Sequence, residues 1–128
     1  MMTDSVQAQV PPGDVVFDPV NDTGDEVYDF DDDDNWGAGG GGTFPGSDFG
    51  GQSIEFLGIA PGVEFAYQIN VGVDATNIGG LFNVDESDIT FSGGGSFEFD
   101  PGAILNTGEG SFTFDIETFF SGNVEFRL

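Results

Sequence analysis

The side chains able to do chemistry in this chain are almost all carboxylates. The sequence holds 24 Asp and Glu residues, a single basic residue, Arg127, and no His or Cys. Without Lys, His or Cys the chain has no Schiff-base amine, no imidazole base and no thiolate for nucleophilic attack or zinc binding. Carboxylates could still act as general acids and bases, or bind Ca²⁺ or Mg²⁺ through oxygen.

Side chains with oxygen ligands alternate along one short segment: Asp29, Asp31, Asp33 and Asn35. This spacing resembles the start of a calcium-binding loop. The EF-hand template fails, however, because Trp36 stands where it requires Gly and Gly42 where it requires Glu. We therefore retain Asp31, Asp33 and Asn35 as candidate ligands for Ca²⁺ or Mg²⁺. The alternative is an acidic loop that faces solvent or a partner.

No pattern of catalytic residues stands out. Two carboxylates could hydrolyse a glycosidic bond, but with 24 acidic residues such pairs arise by chance in nearly any fold. There is no G-x-S-x-G elbow and no phosphate-binding G-x-x-x-x-G-K-[ST] loop. The glycine runs at 39–42 and 93–95 lack a following helix and basic neighbours, so we interpret them as connections. We expect the protein not to be an enzyme.

The net charge of −23 restricts the partners. Nucleic acid phosphates and anionic lipid headgroups are bound through Lys and Arg, so we expect neither nucleic acid nor membrane as a partner. No stretch approaches the 18 apolar residues of a membrane helix, and the start lacks the basic and apolar regions of a secretory signal. We expect a soluble protein made in the cytosol whose partners are other proteins.

An alternation of apolar and polar residues from residue 52 onward is the strongest structural signal. Val63 to Val73 place apolar side chains at every second position, which is typical of strands with one buried face. Shorter segments repeat the pattern: Ile54–Phe56, Ile89–Phe91, Phe97–Phe99, Phe112–Ile116 and Val124–Leu128. Turn-rich breaks separate them. We predict an all-β fold, a single antiparallel β-sandwich or jelly-roll-like domain of about eight short strands.

Three details belong to that prediction. The apolar-x-Phe unit recurs, but its irregular spacing favours strand chemistry over a repeat array. Residues 101–105 could form a helical turn, and Arg127 should pair with a carboxylate across its strand.

The sequence predicts an extended N-terminal arm at 1–13 and one domain at 14–128, with an acidic, glycine-rich loop at 31–52. A first short strand is predicted at 14–17 and a second at 26–30, with residues 21–24 as the turn between them. Three aromatic residues interrupt the polar loop: Trp36, Phe44 and Phe49. They either dock on the chain's own core or bind a partner protein.

The layout resembles a known class of protein. It combines Phe97-Glu98-Phe99 and Phe112-Thr113-Phe114 strands, Gly-rich turns, a Met1-Met2 start and an arm before a small β domain. In these features the chain resembles the decoration or cement proteins of tailed viruses. The resemblance implies a homo-oligomer, commonly a trimer, that sits on the capsid and clamps the major capsid protein.

The acidic composition carries a second resemblance. The chain has no Lys and contains 16 Asp against 8 Glu, which is similar to proteins of salt-loving archaea and their viruses. Our leading hypothesis is a non-enzymatic virion structural protein, decorating the capsid through its arm and edge strands. A virus tail or fibre component is one alternative. A secreted or surface Ca²⁺-dependent adhesin or surface-layer module is another.

Overall fold

The structure, a computed structural model, describes residues 15–19, 27–37, 42–57, 66–84 and 87–127. The predicted arm at 1–13 and the predicted turn at 21–24 lie outside these residues and stay predictions. Ten strands and one short 3-10 helix, Asp33–Asn35, make up the described elements. No helix in these ranges is both long and apolar enough to cross a membrane.

The strands fall into two sheets, and every strand pair is parallel. One sheet has the order β1-β3-β5-β7-β10, with β9 also paired to β7, and the other has the order β2-β4-β6-β8. The strand bounds are β1 Val15–Phe17, β2 Val27–Asp29, β3 Ser53–Phe56, β4 Ala66–Asn70, β5 Asp74–Asn83, β6 Asp88–Ser92, β7 Ser96–Asn106, β8 Ser111–Phe114, β9 Glu117–Phe120 and β10 Glu125–Arg127.

From β1 to β8 the chain therefore alternates between the sheets and returns to each one a layer further along, as in a parallel β-solenoid. The last two strands, β9 and β10, both pair with β7 in the first sheet. The predicted antiparallel sandwich is wrong, although the all-β character is confirmed. The strands predicted at 14–17 and 26–30 are present as β1 and β2, but they lie in different sheets and do not pair with each other. Alternation of apolar and polar residues reports which face of a strand is buried, and it carries no information on the direction of the neighbouring strand.

The later layers form a repeat that the sequence analysis rejected. Asp74 of β5 pairs with Ser96 of β7, and Ser96 pairs with Glu117 of β9, so one coil takes 22 residues and the next 21. The segments Asp88-Ile89-Thr90-Phe91 and Ser111-Phe112-Thr113-Phe114 lie directly over one another. The earlier coils are longer and of unequal length, since Val15 pairs with Ile54 and Val27 with Gln68. These longer coils conceal the period in the sequence.

Strand β7 bends in its middle and so contributes to two sides of the coil. Its first half pairs with β9 and its second half with β10, and Pro101 and Gly102 separate the halves. Gly102 has a φ of 84°, which favours glycine, and its N–H donates to the carbonyl of Asn123. The predicted helical turn at 101–105 is wrong, because Ala103 and Leu105 continue the burial pattern of a strand.

Columns of apolar side chains fill the interior, since residues in register stack along the solenoid. Phe91 lies over Phe114 with ring centroids 5.3 Å apart, and Phe99 lies over Phe120 at 5.4 Å; both pairs are stacked. Both sheets contribute to this one core. Each buried Phe contributes roughly 1.5–3 kcal/mol through the removal of apolar surface from water, so these columns are the main source of stability.

On the outer faces of the sheets, the strand register keeps carboxylates from lying opposite each other. Among the strand pairs of the described residues, none places two carboxylates opposite each other. Ser96 lies between Asp74 and Glu117 and donates from Oγ to Asp74 Oδ1 at 3.0 Å. Ser111 donates in the same way to Asp88 at 2.8 Å. Like charges directly opposite each other destabilise a sheet, so neutral partners allow an acidic exterior to stack.

Truncation of the central column should cost much of the stability. Phe91 contacts the rings of Phe56, Phe97, Phe112 and Phe114, so Phe91→Ala leaves a cavity and should lower the free energy of unfolding by about 3–5 kcal/mol. Urea denaturation followed by circular dichroism measures the loss. Phe91→Leu fills part of the space and should lose clearly less; equal losses would contradict the stacked-column description.

The outer rule can be tested at Ser96. Ser96→Asp would put three carboxylates in one column, with Asp74 and Glu117, and should lower stability by about 1–2 kcal/mol at low salt. Ser96→Asn is the matched control, since it keeps a donor for Asp74 without adding charge. The difference between the variants should shrink at about 1 M NaCl, where the Debye length is about 3 Å. Equal unfolding midpoints at low salt would count against the rule.

Candidate interaction surface

The acidic segment Phe30–Gly37 covers the first edge of the solenoid. The N–H of Asp18 donates to the carbonyl of Asn35 at 2.7 Å, and the N–H of Gly37 donates to the carbonyl of Val16 at 2.8 Å. Phe17 and Trp36 thereby form an antiparallel bridge. The exposed edge of β1 is thus occupied by the chain itself, which is one way in which proteins protect edge strands.

The aromatic residues predicted either for the core or for a partner have contacts inside the chain. Trp36 and Phe49 are buried, and Phe44 packs half-buried against the core. Trp36 Nε1 donates to the carbonyl of Phe30 at 2.6 Å, and its ring lies edge-on to that of Phe30. These contacts correspond to the first alternative, in which the aromatic residues dock on the chain's own core. Contact with a partner at these residues stays a prediction.

The three predicted cation ligands differ in their exposure and in their hydrogen bonds. Asp31 is exposed, Asp33 Oδ1 accepts the N–H of Phe44 at 2.9 Å, and Asn35 is buried with Nδ2 donating to the carbonyl of Asp29. Within the described part of the chain, no group of three or more Asp, Glu, His or Cys could hold a metal ion. Binding of Ca²⁺ or Mg²⁺ at Asp31, Asp33 and Asn35 stays a prediction.

One carboxylate of the loop has an altered acidity. Asp48 Oδ1 accepts from Asn77 Nδ2 at 2.8 Å and from the N–H of Gly50 at 2.9 Å. These hydrogen bonds, the one from Asn77 first, stabilise the charged form and lower the pKa of Asp48. Asn77 has a φ of 56°, a conformation that Asn tolerates better than most residues. The pair fastens the loop to the start of β5.

The glycine run at 93–95 serves the stacking of coils. A Cβ on Gly95 would lie 2.1 Å from the carbonyl oxygen of Val73, so only Gly fits this close approach. Beside the run lies an open groove of about 470 Å³, whose other lining residues are Phe114–Glu117. Its charged groups are the carboxylates of Asp115 and Glu117. The groove has no basic side chain that could bind a phosphate.

The opposite end of the solenoid is uncovered in the described structure. We call the strands β8, β9 and β10, which form the last described coil, the open end. Within the described ranges each of them pairs on one side only, β8 with β6 and both β9 and β10 with β7. Their free edges present backbone N–H and C=O groups to solvent, which is a template for pairing with a further strand.

Large aromatic side chains mark this open end. Phe119, Phe120 and Phe126 are 50%, 46% and 67% exposed. Phe120 lies over Phe99, and Phe126 lies over Leu105, so each extends an inner column by one layer. No further coil of the described structure covers them. This surface was not predicted from the sequence. The two consecutive residues Phe119 and Phe120 could have indicated it, because only one of two adjacent residues in a strand can face the core.

The single cation of the chain also lies at the open end. Arg127 Nε donates to Glu125 Oε2 on the same strand, and both side chains are about half exposed. The hydrogen bond with Arg127 lowers the pKa of Glu125. The predicted ion pair of Arg127 exists, but it joins residues two positions apart on one strand rather than on neighbouring strands. Exposed pairs of this kind add little to the stability of the fold.

The Asp48 hydrogen bond gives a pH prediction. A carboxylate whose pKa is lowered on folding stabilises the fold above its ordinary pKa near 3.8, and this stabilisation is lost as the pH falls through the lower folded value. Asn77→Gly keeps the backbone conformation and removes the amide, so the pKa of Asp48 should rise towards 3.8. Carboxyl NMR titration measures the shift. Asn123→Gly, in an exposed turn, should leave Asp48 unchanged; an unshifted Asp48 in Asn77→Gly would contradict the assignment.

Comparison with known proteins found no matching family model, no matching curated protein and no matching solved structure.

Proposed function

We propose that the chain is a non-enzymatic structural protein of a virion, most simply one that decorates the capsid and stabilises its lattice. The observation that carries the proposal is the open end. Free strand edges bordered by half-exposed Phe119, Phe120 and Phe126 have the chemistry of a protein interface. Soluble proteins rarely leave such a combination bare.

Charge supports a protein partner over other classes. With a net charge of −23 the exterior repels nucleic acid and anionic membranes, and it attracts basic protein surfaces. The rule that no two carboxylates oppose each other lets the acidic exterior coexist with a stable stack of strands. Such a surface also suits high salt, where hydration and cations accompany the acids. The proposed host is therefore salt-loving.

The virion itself is proposed from the layout of the sequence, in which a short arm precedes a small β domain. In this proposal the arm at 1–13 and the open end contact neighbouring virion subunits such as the major capsid protein. The contact at the open end would use main-chain hydrogen bonds and apolar side chains, which persist at salt concentrations that screen ion pairs.

Particle fractionation tests the proposal. An antibody against the recombinant chain is used to follow it through a density gradient of a nuclease-treated particle preparation from a culture carrying this sequence. We expect the chain to sediment with intact particles and to stay with them through a wash at about 1 M NaCl, where surface ion pairs are screened. Recovery of the chain only at the top of the gradient would contradict a virion role.

Proteolysis gives a second measure on the same material. Residues 14–52 and the arm should be cleaved more slowly in particles than in the free chain, because neighbouring subunits would cover them. Cleavage of an unrelated soluble protein added to both samples serves as the control for protease activity. Equal cleavage of the chain in both samples would contradict the proposed contacts.

A further inference from the structure

We propose that the open end binds a second copy of this chain, through antiparallel pairing of strand β10 with β10 of the partner copy about a two-fold axis at Phe126. This inference rests on the proposed role of the open end as a protein interface and names its occupant. The edge is available, because β10 pairs only with β7 among the described strands.

The order of charges along β10 supports antiparallel pairing with a second copy. The strand reads Glu125-Phe126-Arg127, with the only cation of the chain at one end and a carboxylate at the other. In an antiparallel pair centred on Phe126, Glu125 of each copy lies opposite Arg127 of the other, and Phe126 lies opposite itself. The strand is therefore complementary to its own copy in this orientation, and a two-fold interface requires such self-complementarity.

Parallel pairing of the same strands would lack this complementarity. It would set Glu125 opposite Glu125 and Arg127 opposite Arg127, and like charges in directly opposed positions destabilise a sheet. A shift of one residue from the centred register would place Phe126 opposite a charged side chain. The sequence of β10 thus selects one orientation and one register.

The positions of Phe126 and Phe120 at the ends of buried columns support the same dimer. Phe126 extends the buried column of Leu81 and Leu105 and is 67% exposed, while Phe120 lies 6.3 Å from it and is 46% exposed. In the proposed dimer the Phe126 rings of the two copies meet, and the columns of both molecules continue through the interface. Aromatic cross-strand pairs of this kind stabilise antiparallel strands.

A head-to-tail contact would not give β10 a partner in its own sheet. The first strand of that sheet, β1, is already covered on its outer edge by residues 35–37, through hydrogen bonds with Val16 and Asp18. A heterologous contact of that type also generates fibres rather than a closed particle. A two-fold contact between open ends uses the same surface twice and stops at two copies.

Charge reversals give a sharp test, measured by analytical ultracentrifugation on the purified chain at about 0.15 M NaCl. Arg127→Glu and Glu125→Arg each replace two attractive pairs by two repulsive ones, and each should weaken the dimer by about 10- to 100-fold. The double variant with both reversals reads Arg-Phe-Glu and is again self-complementary, so its dimer should return. Equimolar mixing of the two single variants should also restore a dimer, because their strands complement each other.

Two controls separate this interface from general effects. Asp34→Arg changes the net charge as much as Glu125→Arg does, at an exposed residue of the covered end, and should leave the dimer intact. Phe126→Ser should weaken the dimer about 10-fold or more, whereas Val27→Ser, at an apolar side chain that is also half exposed, should not. Circular dichroism confirms that each variant is folded.

Each result decides the inference. A wild-type chain that stays monomeric up to about 1 mM, or that forms trimers or fibres, overturns it. Failure of the double reversal to restore the dimer overturns the antiparallel register. These outcomes are independent of particle fractionation: a monomer that still sediments with particles would keep the virion proposal and assign the open end to another virion subunit. A dimer absent from particles would keep the interface and reject the virion.

Discussion

The structure depends on one geometric constraint, the parallel, in-register stacking of successive coils about 4.8 Å apart. At this distance side chains that pair in register lie directly over one another. Inside, this requires columns of apolar residues, and Phe91 over Phe114 shows the result. Outside, it forbids carboxylates in opposed positions, and the register places Ser96 between Asp74 and Glu117. A chain with 24 acidic residues can stack only because both rules hold together.

The same constraint explains why the two ends of the solenoid matter. A coil in the middle is covered on both sides, whereas a terminal coil leaves strand edges and half of a column exposed unless something caps it. At the first end the chain provides the cap itself, with Trp36 bridged to Phe17 and its indole N–H satisfied by Phe30. At the open end, Phe120 and Phe126 continue the columns without a cap in the described structure. The interaction role that we propose rests on these uncovered edges and aromatic side chains, and not on a pocket.

Some of the acidic residues also take part in contacts between successive coils. Many outward carboxylates accept hydrogen bonds from neutral neighbours on the next layer, as Asp29 does from Asn70 and Asp88 from Ser111. Asp48 accepts from Asn77 in the same manner and anchors the loop that holds Phe49. The acids are therefore part of the stacking and do not only coat the surface. Arg127 lies apart from this pattern, on an edge where a further strand can reach it.

The sequence by itself determined the all-β character, eight of the ten described strands (all except β5 and β9), most of the buried faces and the absence of Lys, His and Cys chemistry. These follow from local alternation and from composition, which need no knowledge of neighbours in space. The direction of the strands was decided only by the tertiary structure, because alternation at Ile89–Phe91 is the same in a parallel or an antiparallel sheet. The repeat was concealed by early coils of unequal length. The surface at Phe119, Phe120 and Phe126 was also a tertiary outcome, because whether an aromatic side chain in a strand is covered depends on whether another coil lies over it.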